Sequence, residues 1–428
     1  MGTGPEHWNS LERVSYVRLK GRWVAYPFQN NVSALGVEDQ VACLTGMVEA
    51  KVRHATSREP PKDFDEWILR TQGEGIANLF MRPYNYKVWA VPTTMMQCGW
   101  LGERVAAPDV GRAISNVLHG KEDAGWGPNA VFRFPTQGGT GGIWKAVAKL
   151  LPTERQFYGP GNAVVSLDTS AKQVTLASGA KLGYGSLIST VPLDITLRML
   201  DKPAWADGLT HSSSHIIGVG IRGTGAALEK KCWLYFPEDN CPFYRATVFS
   251  LYAKDNCPGE GAALPTLCLG DGRPAPAGQA AKGGPYWSLM FEVSESFMKK
   301  VSTEEIALAG GKWSKLVLEC LQGAVATELM GADAEVVSLY HRRLEHGYPT
   351  PSLGRDGVLA QALPWLRGQS VWSRGRFGSY KYEVANQDHS LMLGVECADN
   401  VTRGSLEITL THPSIVNQMR NSELVFMK

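Results

Sequence analysis

The amino-acid sequence predicts a mixed α/β protein in which a helical part, an antiparallel-sheet part and separate α/β pieces follow one another. Apolar residues recur at helical spacing through 36–120, whereas short aromatic or β-branched runs separated by Gly, Pro and Asn fill 210–300. Two further segments, near 134–176 and 371–395, combine strand and helix patterns around glycine-rich turns. The length of 428 residues and the 44% hydrophobic content suit two or three domains with a sizeable core.

In the helical part, local signals define the predicted helices. A helix over 38–54 is predicted from five apolar residues at helical spacing: Val41, Leu44, Met47, Val48 and Val52. Asp63, followed three positions later by Glu66, has the pattern of a capping box that opens a second helix. A further helix over 76–81 is expected to end before Pro83, because the residue before a proline disfavours helical backbone.

The sheet part is predicted from runs rich in aromatic and β-branched residues. They cover 215–221, 233–236, 245–252 and 286–293. Clusters of Gly, Pro and Asn between them indicate turns, so we expect a mostly antiparallel sheet.

The two α/β pieces each place a glycine-rich turn near a helix. The first runs from the glycine loop 138–142 into a helix and then into strands at 163–167 and 173–176. Its helix has three apolar residues on one face: Ile143, Val147 and Leu150. The second runs from Val371 to a helix near Asp388, whose predicted inner face is Leu391, Met392 and Val395. Pieces of a dinucleotide-binding domain are distributed in this way when other domains are inserted into it.

Composition excludes several classes of protein. With 43 Lys and Arg against 41 Asp and Glu, the formal net charge of +2 gives no electrostatic case for nucleic acid or a membrane surface. No run approaches the ~18 apolar residues of a membrane span, and no signal peptide is evident, so we expect a cytoplasmic protein. The eight cysteines lack metal-ligand spacing, so we expect reduced thiols and no metal site.

Two sets of side chains suit the binding of a nucleotide. Residues 80–89 mix aromatic, amide and guanidinium groups, which suits stacking on a flat base; an aromatic core is the alternative. Two arginines and two tyrosines on apolar or irregular segments would suit a diphosphate clamp: Arg104, Arg245, Tyr348 and Tyr382. Each arginine alone equally suits a surface ion pair. Asn386 and Gln387, just before a helix, could hold an anion at its N-terminus.

Five longer motifs resemble one known family. They are YPFQNN (26–31), LFMRPYN (79–85), VWAVPTT (88–94), WLYFPED (233–239) and RGRFGSY (374–380). The sequence from Arg13 to the C-terminus is similar to the eukaryotic, fungal-type UDP-galactopyranose mutases. The resemblance implies a discontinuous Rossmann-like FAD-binding domain, an inserted helical domain and an antiparallel-sheet substrate domain.

The resemblance also implies an activity. Members of the family are isomerases that interconvert UDP-galactopyranose and UDP-galactofuranose on reduced FAD, for which we expect NADPH as reductant. In the family mechanism flavin N5 attacks the anomeric carbon and UDP leaves, and the resulting sugar adduct recloses as the other ring and recaptures UDP. The expected partners are therefore the two UDP-sugars, without nucleic acid or membrane, and further copies of the chain in a homo-oligomer.

Site residues follow from the matching positions. The uridine is expected to contact Tyr26, Phe28, Gln29, Phe80 and Asn85. The sugar and phosphate region is expected to contain Trp89, Asn129 and Tyr235. The diphosphate is expected between Arg104, Arg245, Tyr348 and Tyr382, with the two arginines stabilising charge in catalysis. FAD is expected to contact Arg13, Ser15, Val164, Arg376, Asn386, Gln387 and Ser390.

The sequence also departs from the family pattern. The family begins with a strand, a G-x-G-x-x-G loop and a helix, whereas residues 1–12 lead directly into the segment that the family places after that unit. We therefore expect an N-terminally incomplete chain that exposes strand edges and binds FAD poorly. Smaller departures are Gly125, where relatives often have Asn, and Ala385, where they often have Gly.

The domain boundaries and the alternatives complete the prediction. The substrate domain is expected at 13–35 and 206–345, the helical domain at 36–126, and the FAD-binding parts at 127–205 and 346–428. The alternatives to a mutase are an inactive remnant that only binds nucleotide-sugars and an amine-oxidase-type FAD oxidoreductase.

Overall fold

The fold was determined as a computed structural model that describes residues 4–56, 58–101, 105–106, 108–123, 131–259, 261–276, 278 and 280–418. Its α-helices are α1 (Val37–His54), α2 (Phe64–Ile76), α3 (Arg82–Trp89), α4 (Val110–His119), α5 (Gly139–Ala148), α6 (Leu193–Met199), α7 (Pro203–Asp207), α8 (Lys315–Ala326), α9 (Arg355–Gly368), α10 (Gln387–Arg403), α11 (Ile408–Thr411) and α12 (Pro413–Gln418). In this described part, no helix combines the length and the apolar character needed to cross a membrane.

The strands are short except in the central sheet. They are β1 (Trp8–Glu12), β2 (Ser15–Leu19), β3 (Arg22–Ala25), β4 (Val131–Pro135), β5 (Val164–Asp168), β6 (Gln173–Leu176), β7 (Lys181–Gly183), β8 (Leu187–Ser189), β9 (His211–Arg222), β10 (Trp233–Tyr235), β11 (Arg245–Val248), β12 (Ala263–Leu264), β13 (Cys268–Leu269), β14 (Lys282–Gly283), β15 (Tyr286–Glu295), β16 (Glu305–Leu308), β17 (Gly311–Ser314), β18 (Glu335–Pro349) and β19 (Val371–Ser373).

Eight strands form the central sheet in the order β13-β18-β9-β15-β11-β10-β2-β3. Neighbours are antiparallel except for β10 and β2, which run parallel, so the predicted mostly antiparallel sheet is confirmed. Alternate residues of β9 and β15, including Val219, Leu289 and Phe291, face a core that α8 covers. The predicted strand over 245–252 ends earlier, because a 3-10 turn begins at Phe249.

The helical part forms as predicted, but α1 buries a different face. The predicted helix start is confirmed, since Asp63 Oδ1 accepts a hydrogen bond from the Glu66 N–H at 2.8 Å, but the capping box is not reciprocal, because Glu66 Oε2 accepts from the Lys62 N–H at 2.7 Å. Of the five apolar residues whose spacing predicted this helix, Val41, Val48 and Val52 are 55%, 43% and 73% exposed, and Met47 is buried. The buried residues of α1 are Cys43, Gly46, Met47 and Ala50. This face packs closely against α2 at Gly46 and Gly73. A Cβ on Gly73 would lie 2.1 Å from the Gly46 carbonyl oxygen, so glycine at this position permits the contact.

The predicted helix end before Pro83 was also wrong. A π-helical turn, Ala77–Met81, leads directly into α3, and Pro83 lies within the first turn of that helix. Proline is tolerated there because a first-turn N–H has no intrahelical partner. Phe80 and Asn85 are therefore carried on one continuous helical path.

The α/β pieces form around small sheets. Strands β5, β6 and β7 form one antiparallel sheet, and β8 pairs in parallel with β19. Helix α5 forms as predicted, but none of its residues is buried among the described part of the chain. In α10 the predicted inner face was wrong, since Leu391 and Val395 are 53% and 43% exposed, and the partly exposed Met392 is not among its buried residues. Its buried residues are Leu393, Cys397 and Asn400, because Trp372 of β19 packs there and donates to Asn400 Oδ1 at 3.1 Å.

Candidate active site

A wall of stacked rings lies where β3, α3 and β10 meet. Tyr26 follows β3, and its ring centroid is 5.3 Å from that of Tyr235, the last residue of β10. Tyr84 of α3 lies 5.6 Å from Tyr235 and 5.1 Å from Phe80, which stacks on Phe28 at 4.7 Å. Burial raises the pKa of the Tyr26, Tyr84 and Tyr235 phenols, so they are neutral hydrogen-bonding groups at physiological pH.

A second aromatic group joins distant segments of the chain. Trp89, at the end of α3, lies 5.7 Å from Tyr348 of β18 and 4.7 Å from Tyr382. The two tyrosines are 5.8 Å apart, and Trp100 contacts both Trp89 and Tyr382. Of the four predicted clamp residues, the structure thus brings Tyr348 and Tyr382 together.

Arg245, at the start of β11, is fixed by a carboxylate. Its Nε donates to Glu292 Oε1 at 2.7 Å and its Nη2 to Glu292 Oε2 at 2.8 Å, while the Tyr244 hydroxyl donates to Oε2 at 2.6 Å. Burial acts to lower the pKa of Arg245, but the Glu292 carboxylate outweighs it, and the pKa lies well above its ordinary value. Arg245 is therefore a permanent cation beside the aromatic wall.

Two amides predicted to bind uridine make contacts within the protein. Asn85 Nδ2 donates to the Met81 carbonyl at 2.7 Å, and Gln29 Nε2 donates to the Ala106 carbonyl at 3.1 Å. Gln29 Oε1 is buried and has no hydrogen-bond partner among the described residues. Each side chain keeps a carbonyl oxygen that can accept a hydrogen bond.

The residues predicted to contact FAD lie in two groups. The Arg376 guanidinium is 4.7 Å from the Tyr348 ring centroid and donates to the Ala385 carbonyl at 3.1 Å, close to the N-terminus of α10. That terminus supplies the other members of this group: Asn386, Gln387 and Ser390. Arg13 lies 5.6 Å from the Tyr26 ring, and Ser15 is paired with Trp233 across β2 and β10.

Of the remaining predicted residues, one is partly exposed and two lie outside the described part of the chain. Val164 begins β5 and is 37% exposed. Arg104 and Asn129 lie outside the described residues, as does Gly125. Sequence reasoning missed Glu292, although a carboxylate in the apolar run 289–293 was a visible signal of a buried charged partner.

One group of side chains has the composition of a metal site. Asp194, His211 and His346 place ligand atoms within 4.8 Å of one another. However, the two imidazole rings stack with centroids 4.1 Å apart and planes 21° apart, so their nitrogen lone pairs lie in two separate, nearly parallel planes. They cannot both be directed at one ion, and His346 Nε2 instead lies 3.0 Å from Asp194 Oδ2.

Comparison with known proteins identifies the family. No family model matches the chain. A crystal structure of a reduced UDP-galactopyranose mutase is 44% identical to it, with a TM-score of 0.85 over 97% of this chain and 82% of that one. An engineered double mutant of putrescine oxidase is 12% identical (TM-score 0.53, 92% of this chain and 83% of that one), and the wild type bound to putrescine is 10% identical (0.51, the same coverage). These two show the fold alone, whereas the similarity to the mutase shows that this chain belongs to the UDP-galactopyranose mutase family.

Proposed function

We propose that the chain is an isomerase that interconverts UDP-galactopyranose and UDP-galactofuranose with FAD as its cofactor. The observation that carries this proposal is a fixed cation, Arg245, held by Glu292 beside neutral phenols. Such a group suits the stabilisation of a departing diphosphate, whose negative charge grows as the sugar–oxygen bond breaks.

The aromatic wall is proposed to hold the nucleotide part of the substrate. Phe28 and Phe80 are buried within it and support the exposed edges of the rings around them. The proposed uridine contacts are Tyr26, Phe28, Gln29, Phe80 and Asn85, and the proposed sugar and phosphate contacts are Trp89, Asn129 and Tyr235. The carbonyl oxygens of Gln29 and Asn85 suit the N–H donor of a uracil ring.

The diphosphate is proposed to lie between Arg104, Arg245, Tyr348 and Tyr382. The two phenols are 5.8 Å apart at their ring centroids, and Tyr348 and Arg245 interact electrostatically. A guanidinium and neutral hydroxyl donors stabilise the leaving group without needing to take up or release a proton. Because Glu292 orients Arg245, the cation need not reorganise as charge develops.

The residues at α10 fit the polar atoms of a flavin dinucleotide. The helix has 17 residues, and its first N–H groups follow Asn386, whose side chain does not cap them. A helix N-terminus of this length attracts anionic and carbonyl oxygens. The proposed cofactor contacts are Arg13, Ser15, Val164, Arg376, Asn386, Gln387 and Ser390. The reduced flavin, for which we propose NADPH as electron donor, supplies the nucleophile for the sugar.

We also propose a cytoplasmic location and a homo-oligomer. The exposed valines of α1 support self-association, because apolar side chains on one helix face are commonly buried between copies: Val37, Val41, Val48 and Val52. Sedimentation of the purified chain at several concentrations measures its oligomeric state.

The test is a mutase assay on the purified chain supplied with FAD and reduced by dithionite. We expect UDP-galactofuranose to convert to UDP-galactopyranose, separated by chromatography, with Arg245→Ala far slower. Arg222→Ala is the matched control, because Arg222 is paired with Glu335 in the same sheet but lies outside the aromatic wall. Bound and reduced flavin without conversion would contradict the proposed function.

A further inference from the structure

A buried lysine and a buried cysteine meet between α3 and the loop that joins β10 to β11. Lys87 is 4% exposed and Cys241 is 5% exposed. Lys87 Nζ donates to the carbonyls of Glu238 and Cys241, both at 2.8 Å, and lies 3.5 Å from Cys241 Sγ. The amine and the sulfur are therefore held in contact by two backbone acceptors.

The surroundings favour an uncharged pair. Among the ion pairs of the described residues, none includes Lys87. Burial lowers the pKa of Lys87, which increases the fraction of free amine, and burial raises the pKa of the Cys241 thiol to about 11. Burial lowers the pKa of the half-buried Lys299, and the ammonium of Lys87 lowers it further, because repulsion between two ammonium groups disfavours charging both.

We propose that Lys87 and Cys241 form a covalent cross-link in which one oxygen atom bridges Lys87 Nζ and Cys241 Sγ when hydrogen peroxide is present. The inference is independent of the proposed mutase activity, because it depends only on the two side chains and a peroxide.

The reaction balances in two oxidation steps. First, one peroxide oxidises the thiol to a sulfenic acid and is reduced to water. Second, the free amine and the sulfenic acid lose two electrons to a second peroxide, an N–O bond forms, and two molecules of water are released. In total one thiol, one amine and two peroxides give the N–O–S bridge and three waters.

The geometry favours this product over two others. A direct N–S bond would require Lys87 Nζ and Cys241 Sγ to move from 3.5 Å apart to the length of one single bond. With an oxygen atom between them, the two atoms can stay farther apart. A disulfide with Cys320 would compete, but that thiol is fully buried on α8. Peroxide can approach from the loop, because Asp239 and Asn240, next to Cys241, are exposed.

The test uses the complete chain, treated with hydrogen peroxide, digested with trypsin and analysed by mass spectrometry. Trypsin does not cut at a modified lysine, so we expect peptide 71–104 joined to peptide 232–245, with one oxygen gained and two hydrogens lost. Dithiothreitol should restore the separate peptides and the cut after Lys87. Fragment ions must place the link on Cys241, because peptide 232–245 also contains Cys232.

Two variants make the test specific. Cys241→Ser should abolish the linked peptide, whereas the matched Cys232→Ser should retain it, and both changes are small. A Cys241–Cys320 disulfide, or Cys241 oxidised to sulfinic acid with normal cleavage after Lys87, would overturn the proposal. The linked peptide and the missing cleavage after Lys87 are both measured on the wild-type chain, so the test does not depend on the folding of a variant.

Discussion

The central sheet buries apolar residues from both of its middle strands, whereas β5 and β8, in two small sheets, keep apolar residues exposed. In β9 and β15 the inward residues Val219, Leu289 and Phe291 are at most 1% exposed, and each strand is paired on both sides. By contrast, Ile188 of β8 is 43% exposed, and Val165 of the neighbouring small sheet is 52% exposed. The β8–β19 sheet is covered on one face only, since Val371 and Ser373 of β19 are at most 1% exposed.

This difference separates the two halves of the proposed site. The wall that would bind the nucleotide is held by the packed sheet and by α3, so its side chains are positioned before any ligand binds. Four of the seven proposed flavin contacts lie at the start of α10 or on β5, both of which keep apolar residues exposed in the described part of the chain, whereas Ser15 lies on β2 of the central sheet. We therefore expect substitutions on the nucleotide side to have larger effects than substitutions on the flavin side.

The largest effect is expected for Arg245→Ala on the packed side. Removal of a preorganised charge that stabilises a leaving group typically costs about 10²–10³ in turnover. Steady-state kinetics should show the loss in kcat, with a smaller change in KM. Equal turnover in the variant and the wild type would remove the main argument for the diphosphate site.

A smaller effect is expected for Val219→Ala on stability. Deleting two buried methyl groups and leaving a cavity should cost about 2 kcal/mol. Unfolding in urea, followed by fluorescence, measures it. If the loss of unfolding free energy were less than half of this value, the residues around Val219 would have moved to fill the cavity.

A third effect concerns pH and Lys299, also on the packed side. Burial, and to a lesser extent Lys87, lowers its pKa to about 8, whereas the unfolded chain keeps the ordinary value of 10.5. Between these pH values the unfolded state binds more protons, so stability rises with pH, by about 1 kcal/mol per pH unit at most. The unfolding free energy of the wild type should rise from pH 8 to pH 9, and that of Lys299→Met should not show this rise. If the two proteins showed the same pH dependence of the unfolding free energy, Lys299 would be charged in the folded state.

The smallest effect is expected for Val165→Ala, the matched partner of Val219→Ala. Because Val165 is 52% exposed, its truncation should change the unfolding free energy by less than about 0.5 kcal/mol. A loss as large as that of Val219→Ala would show that this face is covered in solution, and the contrast between the two regions would then fail.

The features that sequence reasoning predicted correctly depend on neighbours in the chain. Asp63 caps the start of α2 by accepting from the Glu66 N–H within one turn, and the strand runs of the central sheet are bounded by local turns. The resemblance assigned Phe28 and Phe80 to the uridine, and the structure stacks their rings on each other, but their contact with a nucleotide stays a prediction.

The features that sequence reasoning missed depend on residues that are distant in the chain. The buried face of α10 is set by Trp372, and that of α1 by a glycine contact with α2, neither of which periodicity reveals. Glu292 was missed because its partner Arg245 lies 47 residues away. Local pattern cannot choose between two possible helix faces when the packing element comes from elsewhere.

The parallel pairing of β2 with β10 has a consequence for synthesis. Ser15 is paired with Trp233, so β2 lacks one of its two neighbours until more than half of the chain has been made. At about 5–20 residues per second, that interval is roughly ten to forty seconds, during which one edge of the β2–β3 hairpin is open. A ribosome-bound nascent chain that ends before residue 233 therefore presents an unpaired strand edge, which is a binding site for a chaperone.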